Sequence, residues 1–248
     1  MGKRNYMFFL ASILFVVICI GFFSPTLLHS KKENWNSTLQ NKINTIHNTS
    51  LSIFEEEQSA LLSTAENLKK LSDENKYLSE RTFQAILREE KFSKYQIFLL
   101  DSSKTELATT AVIGVEAKEL LEAQFKTGTT YFHSSPLLTL LCYADKISLK
   151  RRSYFLLVTK IVETSYASQN ISPADNFSSK LETAFESEVD VFYSPAKPKT
   201  LDGRYFSFDL PNNYGEKIGL ITVAKPTLKA ELRKIGENTK GGAKCFHR

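Results

Sequence analysis

The stretch that most constrains this chain is Met7–Leu28, MFFLASILFVVICIGFFSPTLL. From Met7 to Phe23 it is one near-unbroken apolar run, relieved by Ser12. A helix rises about 1.5 Å per residue, so roughly 20 apolar residues cross a hydrocarbon core of about 30 Å. The run with Leu27 and Leu28 meets that length. It predicts a transmembrane helix over 7–28, with residues 1–6 in the cytoplasm, because Lys3 and Arg4 precede it and positive charge stays inside. A cleaved leader is the competing reading. Phe22, Phe23, Pro25 and Leu27 do not make the small-x-small pattern that a signal peptidase needs, and Ile18 before Cys19 spoils a lipoprotein box. The expectation is an uncleaved, single-pass anchor in the inner (cytoplasmic) membrane, with the main domain outside.

The chain has 248 residues, 24% charged and 42% hydrophobic, enough for one sizeable domain and a helical stalk. Its formal charge of +5 is uneven. From Lys225 onward seven basic residues face Glu231 and Glu237, so the surplus lies in a tail, read as a solvated end over 236–248. No nucleic-acid partner is expected. Cys19, Cys142 and Cys245 make no disulfide framework, and Cys142 in an apolar strand reads as core. Sequons begin at Asn36, Asn48, Asn170 and Asn176, and matter only in a eukaryotic host.

Residues 32–75 hold neither Pro nor Gly. Leu39, Ile43, Ile46, Ile53, Ala60, Leu68, Leu71 and Leu78 fall on three- and four-residue steps, with Ser50, Glu57, Thr64 and Asn75 in the gaps. That is an interrupted heptad stripe. It predicts a helical stalk over 29–92 that pairs with a second copy near its start. Phe54, Leu61, Leu62 and Ala65 broaden the stripe farther on, which points to packing on the chain's own domain. Glu55-Glu56-Glu57 reads as a solvated charge run. Ser79 looks like an N-cap for a short helix over Arg81–Glu90.

Strands are predicted at Tyr95–Asp101, Thr105–Thr110, Thr130–His133, Leu137–Ala144, Tyr154–Val162, Val189–Tyr193, Tyr205–Leu210 and Ile218–Ala224. Helices are predicted at Val115–Phe125, Asn176–Phe185 and from Leu228. Asp145–Arg152 reads as a polar connection. The sum is an α+β fold.

Three stretches carry a resemblance: YQIFLLDSSKTEL from Tyr95, YFLLVTKIVETSYA from Tyr154 and LPNNYGEKIGLITVAKP from Leu210. In this order they resemble the extracytoplasmic PAS-like sensor domains of bacterial receptors, the Cache superfamily and its fourth type of CHASE domain in particular. The resemblance implies a PAS-like antiparallel sheet with flanking helices over 93–235. It also implies a membrane-anchored sensor that binds a small ligand. Such receptors continue into a second span and an output module, whereas no second apolar run precedes Arg248. The expectation is a truncated or stand-alone receptor; the alternative is a bitopic coiled-coil structural protein of the cell envelope with no ligand.

No P-loop, G-x-S-x-G, H-E-x-x-H or C-x-x-C occurs, and the four histidines are scattered. No catalytic residue, metal or cofactor is assigned. PAS-like pockets lie on the concave face of the sheet, where aromatics give contact area. The candidate ligand-binding residues are therefore Tyr131, His133, Tyr143 and Tyr154.

Overall fold

The computed structural model describes residues 8, 11–15, 29–30, 32–75, 77–110, 117–122, 126–150, 152–165, 175–196 and 203–233. No helix among them is long and apolar enough to cross a membrane. This corrects the expected fold class in its transmembrane helix, and the single-pass inner-membrane placement built on it. Of the Met7–Leu28 stretch, Phe8 and residues 11–15 are described, helical and exposed; the rest lies outside the described residues. The long helix that follows mixes apolar and polar positions along its length, the wrong pattern for lipid on all sides.

The chain divides into two compact units, Met1–Ile46 with Lys225–Arg248, and His47–Ala224. In the first, residues 228–233 form a helical segment opened by Thr227, whose hydroxyl accepts from the Ala230 N–H. Lys42 reaches Glu231 at 2.5 Å. Leu39, Ile43, Ile46, Leu228 and Leu232 are half-buried.

Helix α1 is Trp35–Glu74. Its buried residues are Ser50, Phe54, Glu57, Gln58, Leu61, Ala65, Leu68 and Ser72. This seam runs through Ser50 and Glu57, the polar gaps in the sequence stripe, and through the broadening residues Phe54, Leu61 and Ala65. Ile53 and Ala60 are only half-buried. From His47 onward the helix packs on its own domain. Helix α2, Glu80–Leu87, is capped as predicted: the Ser79 hydroxyl accepts from the Thr82 N–H at 3.1 Å.

Strands β1 (Gln96–Leu100) and β2 (Glu106–Thr109) form a hairpin. Helix α3 (Ala117–Glu122) leads to β3 (Thr130–Ser134), β4 (Leu138–Leu149) and β5 (Arg152–Thr164). These five strands make one antiparallel sheet in the order β2-β1-β5-β4-β3. The polar connection expected over Asp145–Arg152 is mostly strand. Ile147 and Leu149 are buried while Lys146 and Ser148 are exposed, so period-two alternation carries β4 on to the turn at Lys150.

Helix α4 (Phe177–Phe185) crosses to a second sheet of three antiparallel strands, β6 (Val189–Phe192), β7 (Tyr205–Pro211) and β8 (Lys217–Ala224), ordered β6-β8-β7. β8 is buried along almost its whole length. Gly219 on it leaves no room for a side chain, since a Cβ there would lie 2.9 Å from the Phe192 carbonyl and 3.1 Å from the Phe132 ring. The α+β class with antiparallel sheets and flanking helices is thus observed.

Candidate ligand-binding face

Alternation gives the five-stranded sheet two faces with different partners. The near face meets α1. Phe54 packs on Phe132 with ring centroids 5.8 Å apart, and Gln58 donates to the Thr130 hydroxyl at 2.8 Å. Lys69 pairs with Asp145 at 2.6 Å. Glu57 accepts from both Lys160 of β5 and Lys180 of α4. Burial works to raise the Glu57 carboxyl, but the hydrogen bonds and charges of the two lysines outweigh it and hold the group below its ordinary range.

The far face meets α3. Phe98, Leu100, Leu140, Ala144 and Leu157 form an apolar cluster with Ala117 and Leu120. One transverse row within it is polar. Gln96 pairs with Thr159, Thr159 with Cys142, and Cys142 with Tyr131, so the row crosses β1, β5, β4 and β3. All four residues are buried, Gln96 being 7% exposed. The Tyr131 hydroxyl donates to the Leu120 carbonyl at 2.8 Å, tying β3 to α3. Burial pushes its pKa well above the ordinary tyrosine range, with the Cys142 thiol adding to the shift. Burial likewise raises the thiol. The Thr159 hydroxyl donates to the Gln96 carbonyl at 3.4 Å. Gln96 Oε1 is buried without a hydrogen-bond partner among the described residues.

The four sequence candidates divide between the faces. Tyr131 and His133, two apart on β3, share the far face, where His133 pairs with Leu140 and is half-buried. Tyr143 and Tyr154 lie on the near face. Tyr143 pairs with Thr130, and its hydroxyl reaches Asp145 at 3.5 Å. Burial first, then the Asp145 charge, pushes Tyr143 up to about 12. The Tyr154 hydroxyl donates to Glu80 at 2.6 Å; that hydrogen bond, with burial, raises its pKa. The two near-face tyrosines are therefore joined to carboxylates of this chain. In the sequence Gln96 carries no signal beyond being a polar residue at the start of an apolar strand.

Two hollows lie elsewhere. One, of about 210 Å³, is lined by Ser135, Leu137, Thr139, Glu163 and Ser165; the other, of about 390 Å³, by Thr64, Asn67, Leu71, Lys91 and Phe92. Neither touches the four candidates. Among the described residues no group of three His, Cys, Asp or Glu is placed to hold a metal.

No protein-family model matches the chain, and no curated protein matches it. Among solved structures it is similar to a domain described as belonging to a sensory box/GGDEF family protein of Vibrio parahaemolyticus. The identity is 15% and the TM-score 0.32, over 78% of this chain and 96% of that one. The likeness is to a sensor-type domain, and a TM-score that low gives it no weight for fold or function.

Proposed function

We propose that the chain is a sensor module whose five-stranded sheet takes a small molecule on its far face. The observation that carries this reading is the polar row Gln96–Thr159–Cys142–Tyr131 inside an otherwise apolar layer, with Gln96 Oε1 unpartnered among the described residues. A buried acceptor without a partner costs about 1–3 kcal/mol, so a donor brought by a ligand is stabilised there. The row holds no charged group. The ligand it fits is small, uncharged and polar, presenting an N–H or O–H to Gln96 Oε1 and stacking its apolar part on the Tyr131 side of the cluster. The near face, packed on α1, is the reporting side. A second copy of the chain pairs through the half-buried Leu39, Ile43 and Ile46 of α1.

The test is a thermal-shift screen of the full chain with uncharged amides, polyols and nucleosides, set against charged amino and carboxylic acids. Members of the uncharged class raise Tm for the wild type and not for Gln96→Leu or Tyr131→Phe. A screen in which only charged compounds act, or a shift that persists in both variants, removes the reading.

A further inference from the structure

Helix α4 is tied to β5 and to α1 by different groups. Toward β5 the ties run through Asn176 and Glu163. Asn176 Oδ1 accepts from the Thr164 N–H at 3.0 Å and its Nδ2 donates to the Thr164 carbonyl at 2.9 Å, so the amide imitates one rung of a strand ladder. Glu163 accepts from the Ser178 N–H at 2.8 Å and from the Tyr193 hydroxyl at 2.6 Å.

Toward α1 the ties described include an apolar contact and a charged one. Phe177 packs edge-on against Phe54, centroids 5.8 Å apart. Lys180 Nζ donates to Glu57 Oε1 at 2.5 Å, while Lys160 of β5 donates to Glu57 Oε2. Glu57 is thus the point where α1, β5 and α4 meet through charge. Its side chain is 11% exposed, against 41% for Lys180, so water reaches the α4 arm of the bridge more readily than the carboxylate itself.

We infer that Glu57 is a latch: opening its arm to Lys180 undocks α4 from α1 while both sheets stay formed. The β5 arm through Lys160 and the ties through Glu163 and Asn176 remain when the Lys180 arm opens, so the motion is confined to α4. This goes beyond ligand binding and does not depend on it. It makes α4 an element that opens locally while the sheets stay paired, where a partner or a change in β5 can alter the structure.

Amide hydrogen exchange on the full chain tests it. Lys180→Met keeps Glu57 paired with Lys160 and keeps the aliphatic stem, so the fold is retained. It is expected to speed exchange of the α4 amides about tenfold, with β4 and β5 amides unchanged. Lys160→Met is expected to speed β5 and α1 amides as well. Equal α4 exchange in Lys180→Met and wild type overturns the latch, and so does a uniform increase across α4, β4 and β5.

Discussion

Glu57 shows what a single residue holds here. It sits in the run Glu55-Glu56-Glu57; Glu55 and Glu56 are exposed, as a charge run on a helix predicts, and Glu57 is not. Which of three adjacent carboxylates turns inward depends on where Lys160 and Lys180 arrive, more than a hundred residues later, and one helix's pattern does not carry that information. The sign of its pH effect follows from the lysines. Its pKa is lower folded than the ordinary 4.5, so its contribution to stability is present above that value. The contribution is lost as pH falls through the depressed folded value. Urea unfolding from pH 6 to pH 3 is expected to show this loss in the wild type. The triple variant Glu57→Leu, Lys160→Met, Lys180→Met should be near the wild type in stability, since buried ion pairs are often replaced by apolar groups without cost, and should lack this component of the pH dependence. Glu57→Ala alone should cost about 2–3 kcal/mol, below the value for a fully enclosed pair because water reaches Lys180. An unchanged pH profile in the triple variant would refute this account of the residue.

At the scale of elements, most of the strands and the capped helix α2 were legible. Their signals are local: alternation, an apolar run between turn residues, a Ser before a helix. The extension of β4 past Ala144 was not legible, because Asp145, Lys146 and Ser148 hide the inward Ile147 and Leu149. Nor was the split of Tyr131 and His133 from Tyr143 and Tyr154. Face assignment needs the register Tyr131 to Cys142, which no local pattern in either strand carries. Helix α1 divides in burial along its length. Phe54, Leu61 and Leu68 are almost wholly buried in the chain's own core, whereas Leu39, Ile43 and Ile46 stay half-buried beside a short helical segment. Cysteines placed singly at Ile43 or Ile46 should cross-link two copies under mild oxidation, and one at Leu61 should not. No cross-link at either stripe position would exclude pairing through this face.

For the whole molecule, the α+β class follows from the order of helices and strands, and the structure bears it out. The N-terminal apolar run was read by length and charge flanks alone, and no membrane-spanning helix is found among the described residues. The second sheet was present in the sequence only as three separate strands; its existence rests on β8 being buried on both sides and on Gly219 admitting Phe132 and Phe192. The two faces of the first sheet are the centre of the functional account: α1 meets one by hydrogen bonds and ion pairs, and the other holds an acceptor, Gln96 Oε1, without a partner among the described residues. The most direct measurement is a heteronuclear NMR titration of the isotope-labelled full chain with the strongest uncharged compound from the thermal-shift screen. The account predicts that the Gln96 side-chain amide and the backbone amides of Thr159, Cys142 and Tyr131 shift first and saturate together, with Glu80 and Asp145 on the near face unmoved at low occupancy. Shifts that begin at Tyr143, Tyr154 and Asp145 while the Gln96 side chain stays fixed would contradict it.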